Sequence, residues 1–122
     1  MAKLIGGVSR IIHFVKDVRA ITAWYQKIFQ LEPIGDITAE WAELKVGPAG
    51  GCNLAFHKCP GEIGAGESFA KFCFATSDVP AAKKLLESRG ATLGPVKTFG
   101  DLTLCDGKDP AGNRFQLSNR GV

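Results

Sequence analysis

Polar side chains near the end of the chain are the first candidates for chemistry. Arg114, Gln116 and Ser118 alternate with two apolar residues, directly after the turn-forming stretch 109–113, Asp-Pro-Ala-Gly-Asn. Successive side chains of a β-strand point to opposite faces, so the alternation predicts a half-buried strand with one polar face. The preceding proline, glycine and asparagine favour a tight hairpin. A guanidinium and an amide on one face suit an acceptor-rich ligand.

A second group of candidates comes from two earlier segments with strand-like alternation. His57 shares parity with Asn53 and Ala55, and Glu43 follows Trp41 by two residues. Glu43 and His57 on one sheet face could transfer protons. The alternative for His57 is a solvated position at the end of a strand. Trp41 either stacks on a planar ligand or fills space.

Two cations occupy equivalent positions in the predicted strands of the two halves. Arg10 shares a face with Ile12 and Phe14, and Lys71 shares one with Cys73 and Ala75. A positive field around Cys73 would favour its reactive thiolate form. The alternative is that Cys73 is a small core residue.

The elements that must position these residues occur twice. The first half predicts a βαβββ order, with strands at Val8–Asp17, Trp41–Val46 and Cys52–Lys58 and a helix at Val18–Gln30. After the connector Cys59–Glu67, the same order predicts strands at Phe69–Asp78, Thr92–Thr98, Leu102–Cys105 and Arg114–Asn119, with a helix that Gly90 closes. Sliding the sequence by half its length places Asp17-Val18 on Asp78-Val79. This register indicates an internal duplication.

Composition excludes several classes of function. The 122 residues are 45% hydrophobic and 22% charged, which fits one ordinary domain. The net charge of +3 is small and dispersed, so no nucleic-acid partner is expected. Four cysteines lack Cys-x-x-Cys spacing and are interpreted as reduced thiols. We expect a cytoplasmic protein with no membrane partner, because the N-terminal segment is too short and polar for a signal peptide or a membrane span.

Several of these motifs together resemble the vicinal oxygen chelate superfamily, which includes glyoxalase I, bleomycin-resistance proteins and extradiol dioxygenases. The resemblance covers nearly the whole chain and rests on Val15-Lys16-Asp17-Val18, Trp24-Tyr25, Phe29-Gln30-Leu31-Glu32-Pro33, Ser77-Asp78-Val79 and the turn 109–113. It implies an α+β fold of two tandem βαβββ modules, with cupped mixed sheets and helices on the outer face. It also implies one domain, 1–122, with modules at about 4–58 and 68–120, and a homodimer around a small-molecule site.

The resemblance also locates four positions where enzymes of the superfamily carry metal ligands. Counting from the motifs places Arg10, Lys71, Gln116 and, more loosely, Ala55 at these positions. Arginine and lysine offer no lone pair to a metal near neutral pH. The usual metal site is therefore expected to be missing, and no cofactor is expected.

Two functions follow from this set of residues. In the first, Arg10, Lys71, Arg114 and Gln116 converge on the cup and hold an anionic or acceptor-rich small molecule without chemical change, as in bleomycin-resistance proteins. A variant of this interpretation has these cations at the rim, paired with Glu43 or other carboxylates. In the second, the chain is a glyoxalase-like lyase, isomerase or dioxygenase. It would use either a divalent metal held by an unorthodox set such as His57, Glu43 and Gln116 or metal-free proton transfer. A protein-interaction domain is a third possibility.

Overall fold

The computed structural model describes Leu4 and residues 8–47, 51–61 and 70–120. Contacts divide the chain into two compact units, Met1–Ile63 and Gly64–Val122. Each unit contains one helix and a four-stranded mixed sheet. The predicted α+β fold with two tandem βαβββ modules is therefore confirmed. The assignment of both modules to one domain stays a prediction.

The first unit is built from five elements. These are β1 (Arg10–Val15), α1 (Val18–Phe29), β2 (Glu32–Pro33), β3 (Trp41–Lys45) and β4 (Asn53–Lys58). The sheet order is β1-β4-β3-β2, with β1 parallel to β4 and the other pairs antiparallel. The two-residue strand β2 was not predicted, because it is too short to show any periodicity.

Helix α1 packs on β3 and β4 through a buried apolar stripe. Val18, Ile21, Tyr25 and Ile28 recur at three- and four-residue intervals, and all are buried. The Tyr25 ring stacks on Phe56 of β4, with ring centroids 5.2 Å apart. This stripe covers one face of the first sheet.

The ends of α1 are set by two polar residues. The Asp17 side chain accepts a hydrogen bond from the backbone N–H of Ala20, 3.0 Å away, and so caps the helix. Gln30 adopts a left-handed conformation at the other end, with φ of 55°.

The second unit repeats the same order. It contains β5 (Lys71–Ala75), α2 (Val79–Ser88), β6 (Lys97–Phe99), β7 (Leu102–Lys108) and β8 (Arg114–Ser118). The sheet order is β5-β8-β7-β6, with β5 parallel to β8. Asp78 caps α2 through Ala81 N–H, and Gly90, with φ of 106°, closes it as predicted.

A hairpin joins β7 to β8 through the turn 109–113. Asp109 Oδ1 accepts hydrogen bonds from the backbone N–H groups of Ala111 and Asn113, both at 2.9 Å. Gly112 supplies the positive φ, 87°, that the turn requires. The predicted hairpin is present and delivers β8 directly beside β7.

Three predictions for the second unit need correction. The strand predicted at Thr92–Thr98 is limited to Lys97–Phe99, since only an isolated bridge from Leu93 to Gly107 precedes it. Strand β7 continues to Lys108 instead of ending at Cys105. Strand β8 is buried on both faces, because Gln116 and Ser118 are buried as well as the apolar residues between and before them.

Two further predictions bear on the ends and the connector. The connector at Cys59–Glu67 lies outside the described residues beyond Gly61, as does Phe69 of the predicted strand. In the described part of the chain, no helix is long and apolar enough to cross a membrane.

Candidate functional site

Each sheet has one face on which its helix packs and a second face opposite the helix, which we call the open face although several of its residues are buried. Strand register assigns the predicted site residues of both units to the open faces. On the first sheet the open-face residues are Arg10, Ile12, Phe14, Trp41, Glu43, Asn53, Ala55 and His57. On the second sheet they are Lys71, Cys73, Ala75, Leu104, Asp106, Lys108, Arg114, Gln116 and Ser118. His13 faces the helix side and is buried.

One end of the first open face is organised around the Glu43 carboxylate. Arg10 Nε lies 3.1 Å from Glu43 Oε2, and Asn53 Nδ2 donates to the same oxygen at 3.0 Å. The Glu43 side chain is 9% exposed, whereas that of Arg10 is 44% exposed. Arg10 therefore makes the ion pair with Glu43 that the rim interpretation expects.

The other end of this face carries a row of rings. His57 lies between Phe14, at 5.2 Å between ring centroids, and Trp41, at 6.1 Å. His57 Nδ1 is 2.7 Å from the Lys58 carbonyl oxygen. Since a carbonyl only accepts, Nδ1 carries the hydrogen and Nε2 keeps its lone pair in the neutral ring.

The proposed acid–base pair is not joined in this structure. Glu43 lies opposite Ala55, one row away from His57, and no hydrogen bond links the two side chains. The carboxylate instead accepts from Arg10 and Asn53. A proton-transfer role for Glu43 and His57 stays a prediction.

Two adjacent rows of polar residues cross the second open face. The first row is Lys71, Arg114 and Lys108, which are direct partners on β5, β8 and β7. The second row is Cys73, Gln116 and Asp106, which are partners on the same three strands. The register thus brings together all four candidates predicted in this unit, namely Lys71, Cys73, Arg114 and Gln116.

Asp106 is the centre of the second row. Its Oδ1 accepts from Lys71 Nζ at 3.1 Å and from Gln116 Nε2 at 3.0 Å. Partial burial acts to raise the pKa of Asp106, but the hydrogen bonds from Gln116 and Lys71 and the charges of Lys71 and Lys97 outweigh it. The pKa of this carboxyl therefore lies below its ordinary value, and Asp106 is anionic near neutral pH.

The Gln116 amide is fixed from both ends. Its Oε1 accepts from an Arg120 guanidinium nitrogen at 2.7 Å, while its Nε2 donates to Asp106. The Cys73 thiol lies 3.9 Å from the same Oε1, which is a long contact. Gln116 is buried and held in one orientation by these partners. It therefore orders the second row, which lies next to the cationic row.

A pocket of about 630 Å³ opens beside these rows in the second unit. The pocket is lined by the cationic row, by Asp106 and by the segment 92–94, which forms a bridge to β7. The lining residues are Lys71, Thr92, Leu93, Gly94, Asp106, Gly107, Lys108 and Arg114. Gly94 N–H donates to the Asp106 backbone oxygen at 2.8 Å and so anchors that segment. Pockets of about 300–1,000 Å³ accommodate small organic ligands.

Sequence reasoning missed Asp106, Lys108 and Thr92 as site residues. The predicted strand stopped at Cys105, which left Asp106 and Lys108 outside any element. A signal was present, because Asp106 and Lys108 are charged residues on either side of Gly107. Both have the same parity as Leu104 in the predicted strand. Thr92 had no such signal, since its position depends on the contacts of Leu93 and Gly94 with β7.

The carboxylate clusters of the two units are equivalent. Glu43 lies opposite Ala55 of β4, and Asp106 lies opposite Gln116, which holds the corresponding position of β8. Each carboxylate accepts from the first residue of its unit's first strand, Arg10 or Lys71, at 3.1 Å. In the neighbouring row, Asn53 of the first unit corresponds to Arg114 of the second, so the second unit carries one more cation.

The residues at the expected metal-ligand positions do not form a metal site. Within residues 8–47, 51–61 and 70–120, no group of three His, Cys, Asp or Glu side chains could hold a metal ion. Arg10 and Lys71 make ion pairs instead. Convergence of the candidates of the two units on one cavity stays a prediction.

The two tandem βαβββ modules define a class of fold. Comparison with protein families points to the same class. The family model of the Glyoxalase/Bleomycin resistance protein/Dioxygenase superfamily matches residues 7–117. The chain belongs to this superfamily. A search among curated proteins by sequence found no match.

Solved structures with the same fold include proteins of several kinds. UcmS2 aligns with a TM-score of 0.79 and 17% identity, over 95% of this chain and 99% of its own. TnmS3, described as an antibiotic binding protein from Streptomyces sp. CB03234, aligns with a TM-score of 0.77 and 21% identity, over 95% and 97%. Lactoylglutathione lyase from Agrobacterium tumefaciens aligns with 0.71 and 19%, over 93% of each chain. At these identities the likeness shows the fold alone.

Proposed function

We propose that this protein binds a small organic anion in the pocket of the second unit and does not transform it. The observation that carries the proposal is the cationic row formed by Lys71, Arg114 and Lys108 at the wall of that pocket. Like charges directly opposite each other on neighbouring strands are destabilising. A bound anion would relieve this repulsion, and the Arg114 guanidinium offers a fork for its oxygens.

Charge counting supports an anion over a neutral ligand. The lining contains three cationic side chains and one carboxylate, Asp106, so its formal charge is positive. Lys108 makes no side-chain ion pair among the described residues, whereas Lys71 is held by Asp106. Leu93 provides an apolar contact for the rest of the ligand, and the glycines at 94 and 107 leave space beside it.

One of the solved structures with the same fold supports a biological role for such binding. TnmS3 has the same fold and is described as an antibiotic binding protein. By analogy, the present chain sequesters a small molecule as a cytoplasmic homodimer and needs no metal. Metal analysis of protein purified without chelator tests the last point. One tightly bound divalent ion per chain, with a raised thermal midpoint, would contradict it.

A lyase, isomerase or dioxygenase is the second candidate function, and one observation favours it. His57 is exposed and presents Nε2 with its lone pair, because Nδ1 faces the Lys58 carbonyl. Such a nitrogen can act as a general base or bind a metal. Turnover of a candidate substrate that is lost in His57→Gln, at unchanged ligand affinity, would support this function over simple binding.

The binding proposal is tested by making the second unit resemble the first. Arg114→Asn installs the residue that occupies the equivalent position, Asn53, and removes one charge from the pocket. We expect at least a tenfold loss of affinity for small organic anions in isothermal titration, which is about 1.4 kcal/mol. Lys27→Met is the matched control, because it removes one charge from the exposed surface of α1. Equal affinities of wild type and Arg114→Asn would refute the proposal.

A further inference from the structure

Asp106 has one carboxylate oxygen that accepts no hydrogen bond from the described part of the chain. Lys71 Nζ, at 3.1 Å, and Gln116 Nε2, at 3.0 Å, both donate to Oδ1, and neither donates to Oδ2. The Asp106 side chain is 43% exposed and lines the pocket. Its Oδ2 is not among the buried side-chain atoms that lack a partner. This oxygen is therefore an accessible acceptor in the pocket wall.

The Asp106 carboxylate is held in one orientation and stays ionised. The two donors fix Oδ1, and the same contacts keep the pKa of Asp106 below its ordinary value. An ionised carboxylate can only accept hydrogen bonds. A ligand oxygen without a hydrogen would therefore be repelled by Oδ2, whereas an O–H group would form a charge-assisted hydrogen bond with it.

Lys71 determines where on the ligand this donor must lie. An ammonium has three hydrogens, and Asp106 is the acceptor of Lys71 within the described residues, so the ammonium can also bind a ligand carboxylate. Ordinary bond lengths place a hydroxyl oxygen about 3 Å from the nearer carboxylate oxygen when both are attached to one carbon. This spacing matches the 3.1 Å between Lys71 Nζ and Asp106 Oδ1. A neutral hydroxyl is favoured over a ligand ammonium, which would lie next to the charge of Lys71.

We propose that Asp106 makes the pocket selective for 2-hydroxy acids, which carry a hydroxyl group on the carbon next to the carboxylate. The ligand carboxylate accepts from Lys71, and the ligand hydroxyl donates to Asp106 Oδ2. The rest of the ligand lies along Leu93. This inference rests on the proposed function, because it requires an organic anion in the pocket of the second unit.

Three probes that differ at a single carbon test the hydroxyl group in the wild-type protein. Mandelate has a hydroxyl there, benzoylformate a keto oxygen that only accepts, and phenylacetate neither group. All three are carboxylate monoanions near neutral pH. In isothermal titration we expect the tighter enantiomer of mandelate to bind at least about tenfold more tightly than either of the others, which is about 1.4 kcal/mol.

Asp106→Asn tests whether the preference arises at this carboxylate. Since both protein donors meet at Oδ1, the new amide places its oxygen there and its NH2 group, a donor, at the position of Oδ2. We expect the preference for mandelate over benzoylformate to fall at least about tenfold. The lost charge acts equally on two monoanions and cancels in this ratio. Asp101→Asn is the matched control, because it removes one carboxylate at an exposed turn outside the pocket lining and should leave the ratio unchanged.

The outcomes distinguish this inference from the proposed function. If mandelate and phenylacetate bind the wild type equally, the anion pocket stands and the selectivity for 2-hydroxy acids is refuted. The role of Asp106 is refuted if Asp106→Asn and Asp101→Asn give the same ratio of mandelate to benzoylformate affinity. Tighter binding of phenylglycine than of mandelate would show that the donor is an ammonium and would overturn the assignment to hydroxy acids. If no small organic anion binds to the protein at all, both proposals fail.

Discussion

The close approach of Gly107 to Phe115 gives a sharp test of how the second unit is packed. The two residues are direct partners on β7 and β8, and Phe115 is completely buried. A Cβ at position 107 would lie 2.4 Å from Phe115 Cζ and 2.9 Å from Cε1 and Cε2. Carbon atoms prefer separations of about 3.5–4.0 Å, so Gly107→Ala requires the ring to move by more than about 1 Å. A fully buried ring has no free space to enter.

The expected cost follows from two opposing effects. Overpacking a well-filled core costs about 1–3 kcal/mol. Replacing glycine by alanine in a strand returns about 0.5–1 kcal/mol of chain entropy. We therefore expect Gly107→Ala to lower the free energy of unfolding by about 1–2 kcal/mol. With a urea m-value of about 2 kcal/mol/M, the midpoint falls by about 0.5–1 M.

The assay must report on the second unit. Both tryptophans, Trp24 and Trp41, lie in the first unit, so urea unfolding should be followed by far-UV circular dichroism as well as fluorescence. Gly94→Ala is the matched control, because its Cβ would meet only the Asp106 carbonyl oxygen, at 3.5 Å. In a Phe115→Leu background the cost of Gly107→Ala should shrink by about 1 kcal/mol or more. An unchanged midpoint for Gly107→Ala, or an equal cost in both backgrounds, would refute the reasoning.

Two further variants test polar contacts of the second unit. Asp109→Ala removes the acceptor for the N–H groups of Ala111 and Asn113 and should lower the free energy of unfolding in urea by about 2–3 kcal/mol. The control Asp101→Ala, at an exposed turn, should lower it by less than about 0.5 kcal/mol. Equal costs would show that the turn does not depend on the carboxylate. The folded-state pKa of Asp106 is lowered, so its contribution is complete above the unfolded-state value and is lost as pH falls toward the folded one. Wild type should thus lose stability relative to Asp106→Asn below about pH 4, and parallel stability curves would contradict this.

Much of the fold could be predicted from local patterns. The closing residue Gly90 and the hairpin at 109–113 are short-range signals with a physical mechanism, and each has its predicted role. The extent of the strand predicted at 92–98 was wrong, because the structure of this segment depends on tertiary contacts. Leu93 forms a single bridge to Gly107, and no local pattern distinguishes such a bridge from a strand.

The site was partly predictable for a related reason. Period-two counting placed Lys71 with Cys73 and Arg114 with Gln116, each pair on one face of its own strand, and the register of β5 and β8 brings the two pairs together. Counting along one strand cannot show which residues of neighbouring strands meet. The role of Asp106 as acceptor for both Lys71 and Gln116 therefore became visible only with the cross-strand register.

The half-length shift does not align every strand of the two units, and the cause is a difference in loop length. The shift by half the chain length superimposes β1 on β5 and β4 on β8, but it places Glu43 on Leu104 instead of Asp106. The compensating difference lies in the loop before the last strand, which spans 46–52 in the first unit and only 109–113 in the second. A single shift therefore pairs the third strands out of register and hides the equivalence of the two carboxylates. Aligned by register, the first cations and the carboxylates match in both units, and the exchange of Asn53 for Arg114 is the change that gives the second unit its cationic row.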